Sequence, residues 1–306
     1  MDEIKGFKQK SGKTVKELMN DFSSMGFQAS HIKQAVDIIK KMKKDKATII
    51  LTFTSNMVSS GLRELFAELC RLKFVDAIIT GVGSIEEDLM KSKSPFKLGS
   101  FNLNDRELHQ KGINRIGNIL VENSHYEKLE DSLLPFFDKI LKLQKEHKRM
   151  LGPSEIIYEL GKELKDESSI LYWATKNNIP IFCPAILDGA FGLQLFYYKQ
   201  DNPEIGIDVT ADMKAESKLI LNAEKTGGII LGGGFAKHHA IGMNIVRGGF
   251  DYAVYITTSE AYDGSLSGAS TSEAVSWSKI KEEANTVIVH ADATIAFPLI
   301  FCAIFE

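Results

Sequence analysis

Residues 228–239 read Gly-Ile-Ile-Leu-Gly-Gly-Gly-Phe-Ala-Lys-His-His. The apolar run at 228–231 is bounded by glycines and predicts a short buried strand, and residues 237–246 have the spacing of a helix. A strand that turns through glycines into a helix leaves backbone N–H groups free at the helix N-terminus, where they can bind a phosphate. The turn is not the G-x-G-x-x-G fingerprint, so glycines that only permit a tight turn are the alternative interpretation.

The same alternation of apolar strands and helices extends along the chain on both sides of this turn. It predicts an α/β fold with a mostly parallel sheet and helices on both faces. Two amphipathic helices within residues 11–46 precede the sheet, and residues 96–123 have the composition of a loop. Predicted strands cover 47–53, 75–80, 179–185, 228–231, 252–256 and 286–290, and predicted helices cover 60–72, 126–150, 189–198, 209–223, 237–246, 272–283 and 293–301, with two more within 153–176.

Length and composition indicate one soluble, folded protein. The chain has 306 residues, of which 44% are hydrophobic and 25% are charged, and it contains no low-complexity linker. We therefore predict a single α/β domain over residues 1–306, in which residues 1–45 form an N-terminal helical extension. The 37 basic and 40 acidic residues give a formal net charge of −3, which argues against nucleic acid as a partner.

Cysteine content and hydropathy indicate a cytoplasmic location. Cys70, Cys183 and Cys302 lie far apart in apolar surroundings, so they predict neither a zinc site nor a disulfide framework. No apolar run approaches the roughly 20 residues of a membrane-spanning helix, and the polar N-terminus lacks the core of a signal peptide. We expect a protein of the reducing cytoplasm that binds neither a membrane nor a metal ion.

Two segments after predicted strands carry side chains suited to amine chemistry. His238 and His239 open a helix, where adjacent side chains point in different directions, so one histidine can face a site and transfer protons. A histidine with only a structural hydrogen bond is the alternative. Trp277 lies two residues before Lys279, and a ring that removes water from an amine favours the neutral, nucleophilic form. Lys279 is therefore a candidate Schiff-base lysine, with a solvated surface lysine as the alternative.

Carboxylates are frequent where the predicted strands end. In a parallel sheet these ends meet at one edge, so the carboxylates together form a negatively charged cleft suited to a small polycation. Carboxylates on separate solvated surfaces are the alternative. The residues concerned are Glu86, Glu87, Asp88, Asp188, Glu260, Asp263, Glu273 and Asp292.

The chain resembles deoxyhypusine synthase in a series of blocks whose order and spacing agree with that family. The resemblance covers roughly residues 45–300, and only the two N-terminal helices are weakly matched. The most specific blocks lie in the C-terminal part, at 232–239, 251–257, 263–269, 273–279 and 291–293. The earlier blocks are 54–56, 86–89, 112–118 and 188–189.

This resemblance implies an NAD-dependent aminobutyl transferase with a Rossmann-like fold, assembled as a homotetramer whose active sites are shared between paired subunits. Spermidine is oxidised by NAD to an imine, and its butylamine unit moves to Lys279. From there it passes to a lysine of the hypusine-bearing translation factor precursor, and the retained NADH reduces the product. His238 matches the proton-transfer histidine. Family NAD positions fall on Ser55, Asn56, Ser59, Gly83, Asp188, Gly233, Thr258, Ser259, Asp292 and Ala293, and amine-pocket positions fall on Glu86, Glu87, Gly264, Ser265, Glu273 and Trp277.

Two departures from the family pattern concern the amine donor. The eukaryotic enzymes carry polyamine-contacting aspartates where this chain has Leu193 and Leu266. Each lost carboxylate removes a charge-assisted hydrogen bond of roughly 1.5–3 kcal/mol, which should weaken or reshape recognition of the amine and leave the transfer chemistry intact. The expected donor is spermidine or a related polyamine. Transfer to a small diamine, as in homospermidine synthase, and a non-catalytic NAD-binding regulatory paralogue are the alternative functions.

Overall fold

The computed structural model describes residues 3–306. The chain divides into two compact units: unit 1 contains the described residues up to Phe53 together with Glu216–Glu306, and unit 2 contains Thr54–Ala215. The single domain over 1–306 stays a prediction. The elements are α1 (Val15–Phe22), α2 (Gln28–Lys44), β1 (Thr48–Phe53), α3 (Ser55–Met57), α4 (Arg63–Arg71), β2 (Ala77–Thr80), α5 (Val82–Lys91), β3 (Lys97–Leu98), α6 (Asp105–Gln110), β4 (Ile113–Ile116), β5 (Ile119–Glu122), α7 (Asn123–His147), α8 (Pro153–Gly161), α9 (Ile170–Lys176), β6 (Ile181–Phe182), α10 (Ala190–Asp201), α11 (Ala211–Leu221), β7 (Thr226–Leu231), α12 (Gly234–Met243), β8 (Phe250–Thr257), α13 (Thr271–Ser276), β9 (Ile280–His290) and α14 (Ala293–Phe305).

Unit 1 is built on parallel strands in the order β1, β7, β8, β9. Every residue of β7 is buried. Because successive side chains of a strand point to opposite faces, both faces of this sheet are covered. Helix α12 contacts β1 and β7, while α2 and α14 contact β8. With the parallel pair β2 and β6 of unit 2, these strands confirm the predicted α/β class with a mostly parallel sheet.

The predicted N-terminal helices are confirmed in α1 and α2. The Thr14 side chain accepts a hydrogen bond from the backbone N–H of Glu17, and the Glu17 carboxylate accepts one from the N–H of Thr14. This reciprocal capping box satisfies two N–H groups that a helix start leaves unpaired. Helix α2 buries Ala35, Val36 and Ile39, and it packs against β8 and β9.

Unit 2 contains an antiparallel sheet where the sequence predicted a loop. Residues 96–123 form β3, α6, β4 and β5, with the sheet order β3, β5, β4. Gly112 and Gly117 have φ angles of 66° and 60°, which glycine adopts easily. Gly112 joins α6 to β4, and Gly117 lies in the tight turn of the β4–β5 hairpin. The loop prediction was wrong because strands of two to four residues are too short to show a periodic pattern.

A second prediction was wrong at residues 272–283, which were expected to form one helix. Helix α13 ends at Ser276, and β9 begins at Ile280. Ser278 has a φ angle of 55°, a left-handed conformation that ends the helix. Strand β9 extends back to Ile280, which lies opposite Phe250 of β8. Lys279 therefore lies in the connection between α13 and β9. No helix among residues 3–306 is long and apolar enough to cross a membrane.

Candidate active site

A cavity in unit 1 brings together four of the residues singled out in the sequence. His238, Glu273, Trp277 and Lys279 line a space of about 290 Å³ beside α12, α13 and Tyr255 of β8. His238 and Lys279 are 41 positions apart in the chain: His238 lies on α12, which follows β7, and Lys279 lies in the connection that leads into β9. Both side chains line the same cavity. The cavity joins a nucleophilic amine, an imidazole, a carboxylate and an aromatic ring.

The backbone of Lys279 is held firmly, whereas its side chain is free to react. Its N–H donates to the carbonyl oxygen of Ala274 at 3.0 Å, and its carbonyl oxygen accepts from the N–H of Phe250 at 3.1 Å. Its Nζ lies 5.4 Å from the centre of the Trp277 ring and makes no hydrogen bond to any residue that the structure describes. Trp277 is 65% exposed, so the ring beside this amine lies at the surface of the protein.

The two adjacent histidines have different surroundings. Nε2 of His239 lies 2.8 Å from a carboxylate oxygen of Glu216, which is buried. His238 is exposed and lines the cavity instead. The helical geometry of α12 thus directs one imidazole to a structural hydrogen bond with Glu216 and the other to the space that Lys279 also lines.

The glycine turn between β7 and α12 is shaped by the segment that it contacts. Gly232 and Gly234 have φ angles of 77° and 67°. A Cβ atom on Gly233 would lie 2.5 Å from the Cα of Ser267, so only glycine fits there. The N–H of Gly234 donates to Oγ of Ser267 at 3.0 Å. The tight-turn interpretation therefore accounts for these glycines. Helix α12 starts without a capping side chain, so the N–H groups of its first turn that come after Gly234 are available to an anion.

The other unit 1 positions implied by the resemblance lie in the loops at the same edge of the sheet. The Ser259 N–H donates to Oγ1 of Thr257, and the Ser265 N–H donates to the Asp263 carboxylate. The Asp292 carboxylate caps α14 by accepting from the Thr294 N–H at 2.7 Å. Thr258, Gly264 and Ser265 are exposed, whereas Ala293 is buried at the start of α14. Their roles toward a ligand stay predictions.

A second cluster of predicted residues lies in unit 2 around α5. The Ser59 hydroxyl donates to the Glu87 carboxylate, and the Phe191 N–H donates to Oε1 of Glu86 at 2.6 Å. A Cβ atom on Gly83 would lie 2.9 Å from the Cβ of Ser55, so the α5 and α3 backbones approach closely there. Asn56 accepts a hydrogen bond from the Thr54 hydroxyl. Asp188 is exposed in the loop before α10, and its charge helps to raise the pKa of Glu86.

Burial changes the protonation of both carboxyl groups. It raises the pKa of Glu87 to about 7, although the Ser59 hydrogen bond and the charge of Lys91 oppose the change. It also raises the pKa of Glu86, against the opposing hydrogen bonds from the N–H groups of Phe191 and Ala190. A cation beside such a carboxyl group favours its ionised form. The pair is therefore suited to bind an amine and to release a proton when it does so.

Asp88 is acidic like Glu86 and Glu87 but has a different role. Its carboxylate accepts hydrogen bonds from Nε of Arg63 at 2.6 Å and from the Ser169 hydroxyl and the Leu171 N–H at 2.8 Å each. It is fully buried. These contacts use the carboxylate oxygens within the protein, so Asp88 joins α4, α5 and α9 and is not available to a ligand.

Comparison with known proteins decides the family. The deoxyhypusine synthase family model matches residues 17–304. The probable deoxyhypusine synthase of Pyrococcus furiosus is 46% identical over 301 residues, which cover 94% of this chain and 90% of that protein. The deoxyhypusine synthase of Candida glabrata is 43% identical over 94% of this chain and 86% of its own length. The chain belongs to the deoxyhypusine synthase family.

Solved structures agree with this assignment. A crystal structure of a protein described as a deoxyhypusine synthase from Entamoeba histolytica is 31% identical, has a TM-score of 0.71, and matches over 99% of this chain and 96% of its own. The complex of AgrE with ornithine and NAD+ has a TM-score of 0.57 at 14% identity, over 91% of this chain and 33% of AgrE, and shows a shared fold alone. The predicted deoxyhypusine synthase activity, an NAD-dependent transfer, is confirmed by the curated relatives.

Sequence reasoning missed two residues that line this cavity, and of the two departures from the family pattern one lies in it. Tyr255 and Lys237 both line it and are buried, and the Tyr255 hydroxyl has no hydrogen-bond partner among the described residues. A tyrosine between the apolar Val254 and Ile256 of a buried strand was the available signal, because a buried hydroxyl needs a partner. Leu266 lines the same cavity, whereas Leu193 is exposed on α10 in unit 2.

Proposed function

We propose that the chain oxidises spermidine with NAD and transfers the aminobutyl group through an imine on Lys279 to a lysine of the hypusine-bearing translation factor precursor. The observation that carries this proposal is the cavity in which Lys279, His238, Glu273 and Trp277 meet. A nucleophilic amine, a proton-transfer group and a carboxylate for a cationic substrate are the groups that aminobutyl transfer needs.

The residues present fit a dinucleotide. Helices α5 and α12 each start after a parallel strand without a capping side chain, so N–H groups of their first turns can bind phosphate oxygens. Gly83 and Gly233 are also proposed NAD positions; at each, the missing Cβ atom lets a serine, Ser55 or Ser267, pack closely against the backbone that leads into the helix. Bound NAD would accept a hydride from the amine and return it at the end of the reaction. The other proposed NAD residues are Ser55, Asn56, Ser59, Asp188, Thr258, Ser259, Asp292 and Ala293.

Lys279 is proposed to carry the aminobutyl unit. When its neutral Nζ attacks the carbon of the oxidised amine, a C–N bond forms, the bond to the remaining diamine breaks, and that diamine leaves with a proton. His238, which lines the same cavity, takes the proton that Nζ loses and returns it to the leaving nitrogen. Attack by the acceptor lysine on the same carbon then releases Lys279 unchanged.

Carboxylates are proposed to hold the ammonium groups of the donor. Glu273 lines the cavity and is exposed, so it can bind a cation at the cavity mouth. Glu86 and Glu87 of unit 2 are proposed to bind amine as well, and Gly264, Ser265 and Trp277 to form the rest of the amine site. Membership of the family also supports a homotetramer, and the exposed apolar side chains of Leu193 and Phe196 on α10 suit subunit contact. Light scattering at the monomer mass would contradict the homotetramer.

The test combines turnover with covalent trapping. Enzyme, NAD and spermidine should produce NADH fluorescence, and borohydride added during turnover should fix the aminobutyl unit on Lys279. A Lys279→Arg variant should lose nearly all transfer and still bind NAD, because a guanidinium stays protonated. Lys281→Arg is the matched control, since Lys281 pairs with Asp251 and does not line the cavity.

Two outcomes would contradict the proposal. An adduct located on another lysine by mass spectrometry, or near wild-type transfer by Lys279→Arg, would exclude the proposed covalent step. The precursor protein and putrescine offered together would identify the acceptor, because preferential labelling of putrescine would favour transfer to a small diamine.

A further inference from the structure

Lys237 is a buried lysine that the steps above do not use. Its exposed fraction is 1%. Its Nζ donates to the carbonyl oxygen of Ala269 at 2.8 Å, lies 3.5 Å from that of Ser267, and lies 4.4 Å from the centre of the Tyr255 ring. None of the ion pairs found within residues 3–306 includes it. Its ammonium group is thus held by backbone carbonyl oxygens and an aromatic face.

The position of Lys237 is unfavourable for a cation. Burial lowers its pKa to about 8, although the charge of Glu273 opposes the change. Lys237 also lies in the first turn of α12, where the helix dipole disfavours positive charge. Lysine is almost never fully buried without an ionic partner, and an apolar side chain of similar length would avoid both costs. The stability of α12 therefore does not explain a lysine at this position.

The contacts of Lys237 explain the presence of a lysine better, because they hold residues 264–269, which form one wall of the cavity. Residues 264–269 run beside the start of α12, and Leu266 and Ala269 line the same cavity as Lys279. The Gly234 N–H binds Oγ of Ser267 at one point of this segment, and Lys237 binds the Ser267 and Ala269 carbonyl oxygens at two more. The segment is therefore fixed to the helix that carries His238.

We propose that Lys237 is a positioning residue that fixes residues 264–269 against α12, so that the cavity wall holds the donor amine in reach of Lys279. The inference rests on the proposed function, because it assumes that the cavity binds the amine. Lys237 itself is not the nucleophile, since its Nζ is enclosed and already donates hydrogen bonds to the wall.

The experiment compares Lys237→Met, which removes the donor groups, with Lys237→Gln, which keeps a neutral N–H donor. Spermidine-dependent NADH formation is measured for both, together with NAD affinity and melting temperature. We expect the KM for spermidine to rise at least tenfold in Lys237→Met and less in Lys237→Gln, with NAD affinity within twofold of wild type. The melting temperature should stay unchanged or rise, because a buried cation has been removed. Lys218→Met, an exposed change on α11, is the control.

A KM within twofold of wild type in Lys237→Met would overturn the proposal, as would a lowered melting temperature with unchanged kinetics, which is the sign of a structural role alone. If Lys237→Met does not fold, Lys237→Gln is used in its place, and a KM for spermidine within twofold of wild type in that variant would overturn the proposal. Wild-type enzyme that forms no NADH with spermidine would instead contradict the proposed function. Hydrogen exchange at residues 264–269 then tests separately whether Lys237 fixes this segment to α12. Faster exchange in the variants supports that role, and unchanged exchange excludes it.

Discussion

The raised pKa of Glu87 predicts how the stability of the protein changes with pH. Between the ordinary value of 4.5 and about 7, the unfolded chain releases a proton that the folded chain retains. The free energy of unfolding therefore falls as pH rises through this range and levels off above pH 7. A pKa difference of one between the folded and the unfolded chain corresponds to about 1.4 kcal/mol. The raised pKa of Glu87 therefore lowers the free energy of unfolding above pH 7 by about 3 kcal/mol.

Replacing Glu87 by Gln keeps the size of the side chain and removes its ionisation. We expect Glu87→Gln to be more stable than wild type at pH 8 by up to about 3 kcal/mol and close to wild type at pH 4.5, where the carboxyl group is largely protonated in the folded chain. Glu127→Gln, an exposed change on α7, should leave the wild-type pH dependence intact.

Urea unfolding at pH 4.5, 6 and 8 measures this difference at one protein concentration, because subunit assembly makes stability concentration-dependent. A difference between Glu87→Gln and wild type that is the same at all three pH values would refute the argument, since it would show that ionisation of Glu87 costs nothing in the folded chain. Glu86→Gln should change stability in the same direction, because burial also raises the pKa of Glu86.

Two further substitutions test packing. Asp88→Ala leaves the buried Arg63 with Asp166 as its remaining close carboxylate and removes the acceptor of the Ser169 hydroxyl and the Leu171 N–H, so it should lower the free energy of unfolding by about 3–5 kcal/mol. Exposed Asp131→Ala on α7 should change it by less than about 0.5 kcal/mol in urea unfolding. Gly233→Ala places a Cβ atom 2.5 Å from the Cα of Ser267. It should lower kcat/KM for spermidine about tenfold or more, because a loss of about 1.4 kcal/mol of transition-state stabilisation corresponds to a factor of ten in rate. Gly242→Ala, with no atom within 4 Å of the new methyl group, is its control, and equal kcat/KM in both variants would contradict the close-approach argument.

The fold class was predictable because parallel strands buried on both faces appear as continuous apolar runs. Strand β7 and the helix after it are clear in the sequence for this reason. Two segments were not predictable. The hairpin at Gly117 depends on strands too short to show a period, and the end of α13 depends on a left-handed Ser278, which serine adopts only where the tertiary structure requires it.

The cavity was predictable in part, because Lys279, His238, Glu273 and Trp277 belong to motifs with a chemical signature. Lys237 and Tyr255 have no such signature. A lysine at the start of a helix usually extends into solvent, and a tyrosine in a strand usually belongs to the core. Only the packing of residues 264–269 shows that the Lys237 ammonium is enclosed, and only the structure shows that Tyr255 lines the cavity with a buried hydroxyl that has no partner among the described residues.

The limit of sequence reasoning is clearest at Glu86, Glu87 and Asp88, three adjacent carboxylates that the sequence assigned to one acidic cleft. Their side chains leave α5 about 100° apart, so each meets a different environment. Asp88 meets Arg63, and that ion pair links α5 to α4. Glu86 meets the N–H groups at the start of α10, and Glu87 meets the hydroxyl and the backbone of Ser59 and the charge of Lys91, but burial outweighs these contacts at both. A charge count treats the three as equal, but only Asp88 forms an ion pair among the described residues, and Glu86 and Glu87, which form none there, gain by binding a cation from outside. The helix thus separates a structural carboxylate from two that suit an amine, and neither composition nor charge predicts that difference.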